Sequence, residues 1–264
     1  VVEKMENEKP PAKRAEPLMV NSVAKAFKVL NVFDKGRGAL TLSQIAQLTG
    51  MDVSTAQRFT HTLTQLGYLN KDPVTRQFEL AIKTLDLAYH YTRGSRLVDR
   101  AMPVLQHLSK ETEEAVSLTV LDGTEIVFVC RFLSRQSLNT DVITGSRLPA
   151  YCTSPGRAIL SRLPEGDARE ILARSDLRSH TPATPTDIDD ILNRLSQARA
   201  SGYAAAFEEI YHGDASVAAP ILGPDGKVAA AVSIAVPLAR QTRDEVLETF
   251  PKLIIAAARG ISFS

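Results

Sequence analysis

The sequence is poor in several things that would otherwise direct its reading. It has two cysteines in 264 residues, Cys130 and Cys152. Two thiols make no paired framework, so a disulfide-stapled secreted domain is excluded and reduced thiols in a cytoplasmic protein are expected. No run approaches the roughly eighteen apolar residues that a membrane span requires, so no membrane partner is expected. The opening VVEKMENEKPPAKRAEP has no apolar signal core. Residues 1–20 are expected to be a disordered tail. Net charge is only +1, so any nucleic-acid contact must come from charges gathered on one face. His61, His90, His107, His180 and His212 show no HExxH spacing, and there is no GxGxxG, P-loop or metal-ligand cluster. No cofactor, no metal and no catalysis are therefore expected. One alternative stays open: a hydrolase with Cys152 as nucleophile and His212 as its base.

Apolar residues make up 44% of the chain, enough for buried cores. Asn21 or Ser22 can cap a first helix whose stripe is Val23, Ala26, Phe27, Leu30 and Phe33. Thr41 to Gln44, TLSQ, is a capping box opening a second helix, with Leu42, Ile45, Ala46 and Leu48 on its buried side and Gly50 at its end. Asp52 caps a third, with Val53, Ala56, Phe59, Leu63 and Leu66 inward and Gly67 as its stop. From Tyr68 to Leu80 the apolar period falls to two around the turn signal DPVT. Three short helices and a hairpin are the order of a winged helix-turn-helix over residues 21–80. The third helix then offers Ser54, Thr55, Gln57, Arg58 and His61 to a major groove of double-stranded DNA. Arg58 can read a guanine or touch a phosphate. Lys25, Thr41, Lys71 and Arg76 are candidates for the backbone, although polar helix faces and lone lysines are most often simply solvated.

Residues 81–96 read as a linker helix with more apolar surface than one thin stripe needs, which fits a shared contact with a second chain. Residues 97–264 alternate helices with strand pairs. Strands are expected at 116–121, 125–131, 138–144, 217–222 and 228–236, and helices at 97–113, 154–163, 187–200 and after the capping box TRDE at Thr242. The fold class is α+β with a largely antiparallel sheet. TSPG at Thr153 to Gly156 opens a helix whose free N–H groups suit a carboxylate, with Ser154 as cap and Pro155 at the first position. On those residues alone an ordinary cap is the commoner reading.

Three segments together resemble the IclR family of bacterial transcription regulators: TLSQIAQLTGMDVSTAQRFTHTLTQLGYLNKDPVTRQFEL, GSRLPAYCTSPGRAIL and GYAAAFEEIYHGDASVAAPILGPDGKVAAAVSIAVP. The likeness runs from Asn21 to Ser262. It implies an N-terminal winged helix, a linker helix and a C-terminal GAF-like effector-binding domain, assembled as a homodimer or a dimer of dimers on operator DNA. It also implies control by a small organic acid, with the RLPAYCTSPGR segment most similar to the branch regulating aromatic-acid catabolism around protocatechuate, p-hydroxybenzoate and β-ketoadipate. On that likeness Ala150, Tyr151, Glu209, Asp214, Ser216 and Ser233 line or border an effector pocket, beside the hydroxyls of Thr153 and Ser154. Phe207 stands where some members carry an acid, which favours an apolar or aromatic ligand with its ring toward Tyr151 and Phe207. The wing lacks the family's usual turn glycine, having Thr75-Arg76-Gln77, so a positive-φ turn is not expected there.

Overall fold

The computed structural model describes residues 18–34, 36–134 and 141–262. The expected tail lies outside them except for Leu18 to Val20, which are exposed. The chain divides into two compact units, one running to Tyr91 and the other from Thr92.

The first unit contains α1 (Asn21–Leu30), β1 (Ala39–Leu40), α2 (Leu42–Thr49), α3 (Val53–Gln65), β2 (Leu69–Lys71) and β3 (Phe78–Leu80). The capping box at Thr41 forms with Gln44, and Gly50 ends α2 with φ 66°. Asp52 caps α3, accepting from the Thr55 backbone N–H. The N-terminus of α1 differs from expectation: Val20 is the cap, Asn21 and Ser22 lie inside the helix, and no side chain caps it. The core of this unit is Val29, Val32, Leu40, Ile45, Leu63, Leu69 and Phe78. Val23, Phe27, Leu48, Val53 and Leu66 were expected inside and are exposed. The buried strips are narrow: α1 buries Val29, α2 buries Ile45, Ala46 and Thr49, and α3 buries Ala56, Thr60 and Leu63. The two-residue β1, too short to carry a period, adds a third strand in the order β1-β3-β2.

The wing turn corrects a second expectation. Arg76 takes the left-handed conformation at φ 61° without being glycine. Asp72 holds the turn: its Oδ1 accepts from the N–H groups of Val74 and Thr75, and its carbonyl accepts from that of Arg76. Local hydrogen bonds thus offset a strain of about 1–2 kcal/mol.

Helix α4 (Thr84–Gly94) spans the division between the units and buries no residue in the single chain. Leu85, Leu87, Tyr89 and Tyr91 are all exposed.

The second unit holds α5 (Arg96–Thr112), β4 (Ala115–Asp122), β5 (Glu125–Phe132), β6 (Arg147–Pro149), α6 (Ser154–Leu160), α7 (Glu165–Arg174), α8 (Ile188–Ser201), β7 (Ala204–Phe207), β8 (Asp214–Leu222), β9 (Val228–Pro237) and α9 (Arg243–Ile261). Its six strands run β6-β5-β4-β9-β8-β7, every pair antiparallel. α5 and α9 cover one face, burying Leu105, Phe250 and Ile254 against Val116, Val217, Val232 and Ile234. α6, α7 and α8 pack with the other face around Ile159, Leu172 and Ile191. The Thr242–Glu245 box caps α9. β6, β7 and α7 were not foreseen. The strand expected at 138–144 is absent from Asp141 to Thr144, and its first three residues lie outside the described set.

Candidate functional site

Two places gather the candidate residues. In the first unit, Ser54, Gln57, Arg58 and His61 stand exposed along α3. One surface groove beside the helix is bordered by Gln57, Arg58, His61 and Lys71, and another by Lys25, Thr55 and Arg58. Arg58 therefore borders both. Ser54, Thr41 and Arg76 border neither. Thr55 is tied down, with its hydroxyl donating to Asp52 Oδ2 at 2.7 Å, and Thr41 is engaged with Gln44. Lys71 Nζ lies 5.3 Å from the centre of the Phe78 ring. The nearby acids are occupied: hydrogen bonds from Thr55 hold Asp52 below the usual carboxylate range, and N–H groups of Thr75 and Val74 do the same for Asp72. Arg58 is the exposed arginine of α3, while Asp52 at its cap and Asp72 in the wing stay ionised.

In the second unit a recess of about 710 Å³, counted out to its open mouth, lies on the face of the sheet away from α5 and α9. Strand register explains why there is space. Ala206 on β7, Ser216 on β8, Ala235 on β9 and Ala115 on β4 are successive cross-strand partners, so four small side chains form one row of the floor. The next row contains Ser233, Ser117 and Arg131. Ile126, Phe128, Val142, Leu148 and Ile210 supply apolar walls. This composition is that of a small-molecule site: apolar walls with a few polar groups.

Thr153, Glu209, Asp214, Ser216 and Ser233 border the recess. Ala150, Tyr151, Ser154 and Phe207 do not, and each has a structural reason. Tyr151 is fully buried and its hydroxyl donates to the Arg178 carbonyl. Ala150 packs against Gly156, where an added Cβ would come within 2.2 Å of the Ala150 carbonyl oxygen. Ser154 is not the cap. Thr153 is, accepting from Gly156 N–H, while Ser154 donates to the Ser216 hydroxyl at 2.9 Å. Pro155 consequently sits at the second helical position. Phe207 points to the opposite face, beneath the Arg243 guanidinium at 5.3 Å, because neighbouring residues of a strand alternate and its neighbour Ala206 faces the recess.

Glu209 is committed. Its carboxylate meets Arg157 at 2.7 and 2.8 Å, with both side chains at least 96% buried, and Arg194 adds a cation at 3.6 Å. Cys152 borders the recess, but burial pushes its thiol up to about 12, the reverse of what a nucleophile requires. No hydrogen bond joins it to His212 among the described residues.

The residue that sequence reasoning missed is Arg131, at the end of β5. Its Nη1 donates to Ser117 Oγ at 3.0 Å, its guanidinium lies 5.4 Å from the Phe128 ring centre, and its buried Nε has no partner. Across the recess is Asp214, which burial pushes up to about 7 against the opposing pull of Arg131.

Comparison with known proteins decides what kind of molecule carries these two places. The model of the bacterial transcriptional regulator IclR C-terminal domain matches residues 89–263, and that of the IclR helix-turn-helix domain matches residues 22–73. The chain belongs to the IclR family. It is a DNA-binding transcription regulator of that family, with an N-terminal helix-turn-helix region and a mixed α/β domain built on an antiparallel sheet. A similar protein is the Pca regulon regulatory protein of Pseudomonas putida, 33% identical over 95% of this chain and 88% of its own. Another is the Pca operon regulatory protein of Acinetobacter baylyi, 32% identical over 92% and 88%. Among solved structures, a transcriptional regulator from a Rhodococcus species superposes with a TM-score of 0.81 at 34% identity, covering 92% of this chain and 97% of that one. An IclR homolog from Microbacterium hydrocarbonoxydans, complexed with 4-hydroxybenzoate, gives a TM-score of 0.77 at 28% identity, covering 91% and 97%.

Proposed function

We propose that this IclR regulator is a cytoplasmic homo-oligomer whose grip on its operator is set by a small aromatic carboxylate held in the recess of the second unit. The observation that carries the reading is the apolar-walled cavity on the sheet, with small residues along its floor and Arg131 and Asp214 at its side. The Pca regulators at 33% and 32% identity and the relative that holds 4-hydroxybenzoate support an aromatic acid as its occupant. On the DNA side, Gln57, Arg58 and His61 read base edges, with Ser54 and Thr55 beside them at the start of the helix. Lys25, Thr41, Lys71 and Arg76 hold phosphates. The exposed apolar residues of α4 support pairing of two chains, and two linked DNA-binding units gain effective concentration. The acid acts by binding one arrangement of the paired chains better than another, since only differential affinity shifts an equilibrium.

The test has two stages. Thermal shift against a panel of aromatic and keto acids identifies the ligand; an effector at a hundred times its Kd stabilises by about 2.7 kcal/mol. Genomic fragments selected on the full chain supply the operator, and the acid must then change its affinity. Stabilisation by keto acids alone refutes the aromatic reading.

A further inference from the structure

We propose that Arg131 is the anchor for the effector's carboxylate, presenting the edge formed by Nε and Nη2 to the acid group while the apolar body lies along Ile126, Val142 and Leu148. This rests on the reading of the recess as the effector site and names the group that selects an acid there.

The charge inventory of the recess leads to Arg131. It is the cation of the described lining, facing three carboxylates. Two of those are already matched. Glu209 is paired with Arg157. Glu208 accepts from Gly213 N–H and pairs with Arg243 at 2.9 Å. The third, Asp214, makes no ion pair with Arg131 among the described contacts, and its burial favours the neutral carboxylic acid. Among the described residues Arg131 therefore has no ion-pair contact, and Asp214 acts on it only at a distance.

Its geometry is as specific as its charge. Register places Arg131 opposite Ser117, and the Ser117 hydroxyl holds Nη1. That contact fixes the plane of the guanidinium and leaves Nε with Nη2, the side-on edge on which two parallel N–H groups match two carboxylate oxygens. Nε is shielded from solvent and donates to nothing among the described residues, so the acid meets this edge by displacing the side chains that cover it. Leaving a charged donor buried and unmade is costly, and an incoming anion removes that cost. The start of α6, by contrast, has no equivalent vacancy. Thr153 fills the cap and Ser154 is engaged with Ser216.

The experiment is titration calorimetry on the full chain with 4-hydroxybenzoate and its neutral counterpart 4-hydroxybenzamide, for the parent, Arg131→Met and Arg131→Lys. The parent should bind the acid at least about tenfold more tightly than the amide. Arg131→Met should lose roughly ten- to a hundredfold affinity for the acid and little for the amide, erasing the preference. Arg131→Lys should keep part of it, retaining the charge without the two-donor edge. Melting of the unliganded proteins separates this from a structural role: Arg131→Met should melt no lower than the parent, because the arginine it replaces is incompletely bonded. Should Arg131→Met prove unstable, the Lys variant decides alone, by a reduced preference at unaltered amide affinity. Acid binding by Arg131→Met equal to the parent's overturns the anchor and leaves the aromatic-acid reading standing. Equal binding of acid and amide by the parent also overturns it. If the parent binds neither, the aromatic-acid reading fails and the anchor fails with it.

Discussion

Replacing Glu209 by glutamine tests whether this residue braces the cavity or receives ligand. Glu209 and Arg157 form a two-bond pair with side chains 4% and 2% exposed, and Arg157 also donates to the Ala205 carbonyl. The pair ties α6 to the segment that follows β7, on the side of the sheet that bears the recess. Removing one partner of such a pair leaves a buried, uncompensated charge, which typically costs about 3–5 kcal/mol. Glutamine still offers one acceptor, so Glu209→Gln belongs at the low end, about 3 kcal/mol. A domain of this size shifts its Tm by roughly 2–4 °C per kcal/mol, so the loss should be about 6–12 °C. The double variant Arg157→Met/Glu209→Gln should recover much of it, because a neutral pair carries no orphan charge. Thermal and urea unfolding of the unliganded full chain measure both. A single variant that loses less than about 1 kcal/mol, or a double variant that loses the sum of the two singles, would refute the assignment of Glu209 as a structural partner.

Other outcomes follow from the same geometry. Arg58→Ala should weaken specific DNA binding by roughly 1–3 kcal/mol if Arg58 reads a guanine; if it holds a phosphate, specific and random DNA weaken alike and the salt slope falls by about one. Gel shifts at several salt concentrations tell these apart, and unchanged binding to both removes Arg58 from the interface. Gly156→Ala forces a Cβ against the Ala150 carbonyl and should destabilise by about 3 kcal/mol or more, read by urea unfolding. Asp214 is pushed up from 3.8 to about 7 in the folded chain, so the folded state holds the proton more tightly than the unfolded one. Its stabilising contribution is complete below about pH 4 and lost as pH rises toward 7. Unfolding curves across that window should show the parent losing stability relative to Asp214→Asn, and parallel curves would contradict the burial of this carboxylate.

Much of this molecule is legible before folding because it is written in short-range chemistry. The boxes at Thr41–Gln44 and Thr242–Glu245 and the cap at Asp52 need only three or four residues to be recognised, and all three form. What escaped depends on longer range or on a single step of register. Arg131 reads in sequence as the charged end of a strand. Its meaning arises only when pairing sets it beside Ser117, fourteen positions earlier. Phe207 and Ala206 differ by one position, and the alternation of β7 sends the aromatic ring to the opposite face from the recess. Ser154 and Thr153 are both plausible caps by composition. Ser154 is turned elsewhere by a hydroxyl sixty-two residues away, at Ser216. The wing turn shows the opposite case, in which an absent glycine suggested a different shape and Asp72 restored the left-handed residue by local bonding.

The row of Ala206, Ser216, Ala235 and Ala115 has a consequence for how such a regulator can diverge. Each of these side chains belongs to a strand whose alternate residues build the separate core against α5 and α9. Lengthening one of them by a methyl group or two would shorten the chamber without removing an atom from that core. Ligand choice is thus encoded in positions largely uncoupled from the packing that keeps the domain folded, and one mutational step at a time could retune the sensor while its DNA-reading helix stays as it is.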